Sequence, residues 1–287
     1  MNFNLDSNGW TVHVDNDITK LTKDELVEVC RLIVKNMVVV FKNQSLSPEK
    51  QIEICEVMGV VQKMDDLQRA RDIMLIDGIL RVTGQKNQYG EPGLFGHKAA
   101  LDWHCNQASN ENRKPLIWLY GASGTKGSRT SWINNIESYK ALPDNIKEEI
   151  HDIMVYCGYK NGNYSNSKFF KDHINTDNPQ QLVRKNKEGQ LGMFFPFLQI
   201  FGFKDRSQEY FEHMMKLLTD HVLQEKFTYH HDWEDGDIVI SEQWLSVHKR
   251  WEFENMEDRI LHRIAFDYSN VYKINDIYQL YTMHDAC

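Results

Sequence analysis

Leu101-Asp102-Trp103-His104-Cys105-Asn106 is the stretch on which the reading of this chain turns. It reads as a strand end that carries chemistry. On a strand alternate side chains share a face, so Asp102, His104 and Asn106 point one way, and Trp103 and Cys105 point into packing. A histidine and an oxygen donor two residues apart then reach a common point. Far downstream, Trp233-Glu234-Asp235-Gly236-Asp237-Ile238-Val239-Ile240 leads to a second histidine, His248, and on to Arg259 and Arg263. Two imidazoles and one oxygen ligand on one face leave three open positions, the arrangement of a non-haem Fe(II) centre. The oxygen ligand of such a centre is a carboxylate, and position 106 holds an amide.

A single histidine on a strand is more often structural than a ligand, and the other ten histidines carry no comparable context. His230 and His231 are adjacent, so on a strand they face opposite sides and cannot share a metal in that geometry.

Working outward, residues 22–37 have apolar side chains at helical spacing, with Thr22 as N-cap and Glu25 completing a capping box. Val38-Val39-Val40-Phe41 has the length and character of a buried strand. Ser47 caps a second helix with Pro48 in its first turn, which Gly59 ends. Further strands are expected at 79–82, 115–120, 130–133, 227–233, 238–240 and 259–267, with a turn at 121–124. Helices are expected at 136–155, interrupted near Pro143, and at 208–222. Residues 85–100 read as a loop, and residues 190–203 as strand-like. Residues 161–181, rich in Asn, Ser and Asp, read as an exposed insertion or lid. The pattern shows no domain break, so residues 1–287 are expected to form one α+β domain, mainly β, around a large antiparallel sheet system.

The formal net charge is −8, which argues against a nucleic-acid binder held by phosphate contacts. No apolar run approaches the roughly 18 residues of a spanning helix. Residues 1–10 lack the apolar segment of a signal peptide. Five cysteines, scattered and never in a C-x-x-C pair, read as reduced thiols in a cytoplasmic protein. The expected partner is a small molecule, without nucleic acid or membrane; a homo-oligomer is compatible with all of this.

From about Leu21 to about Asp267 the chain resembles the taurine dioxygenase / 2,4-dichlorophenoxyacetate dioxygenase (TauD/TfdA-like) family of Fe(II)- and 2-oxoglutarate-dependent oxygenases. The resemblance is carried by several segments in order. They are Val38-Val39-Val40-Phe41-Lys42-Asn43-Gln44, Trp103-His104-Cys105-Asn106, Gly127-Ser128-Arg129-Thr130-Ser131-Trp132, Gly236-Asp237-Ile238-Val239-Ile240 and Arg259-Ile260-Leu261-His262-Arg263. It implies a double-stranded β-helix (jelly-roll) core with flanking helices. It implies His104 and His248 as iron ligands and catalytic residues, with Asn106 at the third metal position. It implies Thr130 and Arg259 as the grip on the 2-oxoglutarate C5 carboxylate. Arg263 is implied to bind an anionic group of the prime substrate, with Tyr159, Phe194 and Phe195 in segments that line the pocket. Fe(II), 2-oxoglutarate and O2 are the implied cofactor and co-substrates.

The chain departs from the family where Asn106 replaces the acidic ligand. Three readings stand. Asn106 ligates or leaves the position to water, Asp102 reaches the metal from the same face, or the pocket binds without turnover. Halogenation, which relatives perform with a small residue at this position, fits an asparagine poorly. The expected reaction is oxidation of an unactivated C–H bond, hydroxylation foremost, of a small anionic or amino-acid-like metabolite. The alternative is a non-catalytic or altered-chemistry member of the same fold. A jelly-roll lyase or isomerase would leave Thr130 and Arg259 without a purpose.

Overall fold

The computed structural model describes residues 1–63, 74–86, 90, 95–110, 112–159 and 173–272. Strands β1 (Phe3–Leu5) and β2 (Val12–Val14) precede helix α1 (Lys23–Asn36), strand β3 (Val38–Phe41) and helix α2 (Pro48–Met58). Strands β4 (Met74–Ile76), β5 (Ile79–Thr83), β6 (Leu101–His104), β7 (Leu116–Ser123) and β8 (Arg129–Asn134) lead to two short helices, α3 (Asn135–Lys140) and α4 (Asp144–Ile150). Then come β9 (Met154–Tyr159), β10 (His173–Gln181), β11 (Val183–Lys185), β12 (Leu191–Met193), β13 (Ile200–Phe203) and helix α5 (Gln208–Val222). Strands β14 (Thr228–Asp232), β15 (Ile238–Glu242), β16 (Ser246–Arg250) and β17 (Ile260–Phe266) complete the described fold.

Helix α1 starts where its chemistry dictates. The Thr22 hydroxyl accepts from the Glu25 N–H at 3.3 Å, and the Glu25 carboxylate accepts from the Thr22 N–H at 2.9 Å. Ser47 caps α2, with Pro48 at its first position. Gly59 follows α2 for a tertiary reason. A Cβ there would lie 2.0 Å from the Asp267 carbonyl oxygen, so only glycine lets the helix end meet the chain leaving β17.

Eight strands form one sheet in the order β1-β2-β3-β15-β7-β17-β5-β4, antiparallel except for the β2–β3 pair. Four form a second sheet, β14-β8-β16-β6. The large sheet is covered on both faces. Ile238 and Ile240 of β15 pack in the cluster with α1 and α2, while Val239 packs in the cluster shared with the smaller sheet. Two covered faces explain the unbroken apolar runs of β3 and β15, which do not alternate with polar residues. Two largely antiparallel sheets face to face, flanked by helices, are the jelly-roll architecture.

The differences from sequence reading lie at edges and connections. Gly121 and Ala122 belong to β7, and the turn comes later, after Ser123. Its two flanking strands enter different sheets. The 136–155 segment is two helices followed by a strand, because Val155 pairs in β9. The proposed lid splits: residues 160–172 lie outside the described residues, as do parts of the 85–100 loop, and His173–Gln181 is strand β10. The four described cysteines are free and buried; Cys287 lies outside the described residues. Among the described residues no helix is long and apolar enough to cross a membrane.

Candidate active site

Strand β16 runs antiparallel between β6 and β8. This sets His248 directly opposite His104 on one side and opposite Trp132 on the other, with Thr130 opposite Arg250. The two imidazole centroids are 4.2 Å apart. Two imidazoles side by side on one metal, each bound at about 2.1 Å, have centroids roughly 4.5 Å apart. His104 Nδ1 lies 2.6 Å from the Asp102 carbonyl oxygen. A carbonyl only accepts, so Nδ1 carries the proton and Nε2 the lone pair. His104 is 5% exposed, and burial pulls its pKa down to about 4. Burial, reinforced by His104 and Arg263, holds His248 well below its usual value. Both rings are therefore neutral at pH 7, the state in which imidazole binds a metal.

Asn106 does not share a strand face with His104. Strand β6 ends at His104, and Asn106 begins a turn. Between the pairs His248–His104 and Arg250–Leu101, β6 carries one residue more than β16. Such a bulge breaks the two-residue alternation. Asp102 is turned outward, exposed and 3.0 Å from Lys249 Nζ. Beyond the ladder, two buried amides hold the segment. Gln199 Oε1 accepts from the Cys105 N–H at 2.8 Å, and its Nε2 donates to the Cys105 carbonyl at 3.1 Å. Gln243 Oε1 accepts from the Asn106 N–H at 3.0 Å while its Nε2 donates to the Lys114 carbonyl. The Asn106 side chain faces the same cavity as the histidines, and its buried Nδ2 has no hydrogen-bond partner among the described residues.

Thr130 and Arg259 complete a second corner. The Trp233 indole N–H donates to the Thr130 hydroxyl at 2.9 Å, which leaves the hydroxyl proton available to a further acceptor. Arg259 Nε donates to Ser128 Oγ at 3.0 Å, and Ser128 Oγ donates to the Thr125 carbonyl. Arg259 is 1% exposed, and its Nη1 has no hydrogen-bond partner among the described residues. Burial pulls its pKa down to about 9, so it remains charged at pH 7. Arg263 shares the inner face of β17 with Leu261 and Ala265. His262, on the opposite face, meets Gln51 of α2. Burial lowers Arg263 to about 10, and its Nε is also unpartnered among the described residues.

His104, Asn106, Thr130, His248, Arg259 and Arg263 line one cavity between the sheets, with about 480 Å³ of space not filled by protein, mouth included. Val82, Phe95, Leu101, Leu119 and Leu261 supply its apolar walls. Tyr159, Phe194 and Phe195 are not among the lining residues. Tyr159 ends β9, opposite His173. Phe194 is edge-on to Trp244 and lies beneath the Arg113 and Arg184 guanidiniums at 4.3 and 4.6 Å. Phe195 packs against Phe197. His230 and His231 diverge as alternation requires. His230 meets Ser131 and Glu225, while His231 is buried between the Tyr229 hydroxyl and Asp237.

Sequence reading missed Arg250, which also lines the cavity. Its guanidinium donates to the carbonyls of Phe95, His97 and Ala99 at 2.7, 2.8 and 2.6 Å and ties that segment to the strand bearing His248. Its position two residues after His248 was the available signal. Gln199, Gln243, Ser128 and Trp233 were also missed; their partners are distant in sequence, and no local pattern marks them.

Among the described residues no three His, Cys, Asp or Glu side chains form a group able to hold a metal. The arrangement fits a metal through two neutral imidazoles and one neutral amide, with an anion fewer than a two-histidine, one-carboxylate site.

The profile of the Taurine catabolism dioxygenase TauD, TfdA family matches residues 8–265. The chain belongs to that family. It is a 2-oxoglutarate-dependent non-haem iron dioxygenase by class, with Fe(II) as cofactor and 2-oxoglutarate and O2 as co-substrates. Pentalenolactone F synthase of Streptomyces avermitilis is 21% identical over 214 residues, which cover 68% of each chain. AAD-2, solved with Mn(II) and N-oxalylglycine, superposes with a TM-score of 0.73 at 20% identity over 92% of this chain and 97% of its own. A taurine dioxygenase from Burkholderia xenovorans gives 0.70 at 16% identity over 89% and 85%. At these identities the solved structures establish the shared fold.

Proposed function

We propose that this dioxygenase oxidises an unactivated C–H bond, by hydroxylation, in a small anionic or amino-acid-like metabolite, using Asn106 where the family pattern has aspartate. One observation carries the reading: His104, Asn106, Thr130, His248, Arg259 and Arg263, far apart in sequence, converge on one cavity. His104 and His248 would hold Fe(II) through ring nitrogens, and Asn106 offers an amide oxygen or leaves the position to water. Fe(II), with 2-oxoglutarate and O2, supplies the oxidising power when bound.

The chain's own residues do the rest. Both histidines are already neutral, so no proton has to leave before they ligate. Arg259 and the Thr130 hydroxyl receive the C5 carboxylate of 2-oxoglutarate. A buried guanidinium without an internal counter-charge is strongly stabilised by such an anion. Arg263 receives a carboxylate, sulfonate or phosphate of the substrate and so fixes which C–H bond faces the metal position. The apolar walls exclude water around that bond.

Anaerobic titration with Fe(II) and 2-oxoglutarate tests the reading. The expected result is the weak visible charge-transfer band of a chelated complex, with succinate formed on admitting O2. If the native chain gives neither and Asn106→Asp gives both, the protein is a ligand-binding or altered-chemistry member of the fold.

A further inference from the structure

We infer that this site binds its metal and 2-oxoglutarate as a strongly coupled pair, the dianion supplying the negative charge that position 106 lacks. The inference rests on the reading above of the cavity as a metal and 2-oxoglutarate site. Its basis is the charge of the walls. Arg250, Arg259 and Arg263 line the cavity, and no Asp or Glu is among the described lining residues. Among the described residues, the carboxylates nearest the site are engaged elsewhere or face solvent. Asp102 pairs with Lys249 on the outer face. Asp258, beside Arg259, is exposed. Glu242 accepts the N–H groups of Trp244 and Leu245 at 2.9 and 2.8 Å. Among the described residues no ion pair reaches any of the three arginines. The Arg250 donors that hydrogen-bond go mainly to carbonyls, which leave its charge in place.

A divalent cation entering alone meets three guanidiniums and two neutral imidazoles, with no carboxylate among the described lining residues to offset the repulsion. A dianion entering alone is attracted but finds no metal to chelate. Together they add no net charge, because the dianion cancels the charge the cation brings, so each strengthens the other. By linkage, the factor by which 2-oxoglutarate tightens the metal equals the factor by which the metal tightens 2-oxoglutarate. Chelation contributes some coupling at any such site. The part specific to this chain is separated by Asn106→Asp, which keeps chelation and adds a resident anion.

The experiment is equilibrium Mn(II) binding, read from the EPR signal of the free ion, with and without N-oxalylglycine. The proteins are the native chain, Asn106→Asp and Arg263→Gln. Calorimetry of N-oxalylglycine with and without Mn(II) closes the cycle. For the native chain Mn(II) alone binds weakly, and N-oxalylglycine tightens it by about 100-fold, near the upper end of ordinary coupling. In Asn106→Asp Mn(II) alone binds at least tenfold more tightly, and the coupling factor falls by a similar amount. In Arg263→Gln Mn(II) alone also tightens, since one repulsive charge is gone and both imidazoles remain. Equal coupling factors in the native chain and Asn106→Asp would overturn the inference while leaving the 2-oxoglutarate site intact. Failure of N-oxalylglycine to bind with or without Mn(II) would overturn both the inference and the function on which it rests.

Discussion

Replacing Arg259 with methionine should make the ligand-free protein more stable while removing its response to 2-oxoglutarate. The guanidinium is 1% exposed, and among the described residues it has no counter-charge. Burial takes it from 12.5 to about 9. At 1.36 kcal/mol per pH unit, that difference of about 3.5 makes the buried charge cost about 5 kcal/mol. Methionine fills a similar elongated volume without charge. It loses the bond from Nε to Ser128, worth about 1–2 kcal/mol, but Ser128 keeps its bond to the Thr125 carbonyl. Allowing for imperfect packing, the variant should gain about 1–4 kcal/mol. For a chain of this size each kcal/mol moves Tm by about 2–4 °C. The assay is thermal unfolding with and without Mn(II) and N-oxalylglycine. The ligand-free variant should melt at least about 2 °C above the native chain. Ligands at 100 times Kd should stabilise the native chain by about 2.7 kcal/mol and leave the variant unmoved. A ligand-free variant that melts clearly below the native chain would refute the claim that Arg259 is held at a cost for the sake of an anion.

Stability should fall as pH drops from about 6.5 to about 4. His104 and His262 are held at about 4, and His231 and His248 lie below their usual value, all mainly by burial. Over that window the unfolded chain binds more protons than the folded one. Glu242, raised by burial to about 7, opposes this from about 4.5 upward, one proton against four, and a Tm independent of pH from 7 to 4.5 would contradict the assignment. Gln243→Leu leaves the Asn106 N–H and the Lys114 carbonyl without their partner. It should cost about 2–4 kcal/mol in denaturant unfolding and weaken Mn(II)–N-oxalylglycine binding; undiminished stability would mean the amide is dispensable. Thr130→Val strips the Trp233 indole N–H of its acceptor. It should cost about 1–3 kcal/mol of stability and weaken N-oxalylglycine about tenfold by calorimetry, whereas an unchanged affinity would remove Thr130 from the carboxylate grip.

Local chemistry made much of this protein legible. The capping box at Thr22 and Glu25, Ser47 ahead of Pro48, and the apolar runs of β3 and β15 each depend on neighbours within a few residues. Their structures therefore follow from short-range sterics and hydrogen bonding. Family motifs added His104, Thr130, His248, Arg259 and Arg263, all of which reach one cavity. Tertiary structure decided what depends on partners far along the chain. The bulge in β6 exists because that strand must register against β16, about 140 residues later, and it carries Asp102 out of the site. Cys105 is held by Gln199 and Asn106 by Gln243, Thr130 is oriented by Trp233, and the 95–99 wall is tied by Arg250. Phe194 lies beneath two arginines, where the family resemblance had implied a pocket wall. A sequence pattern records which residues want burial or a partner; which partner each one meets is set only when two sheets close on one another.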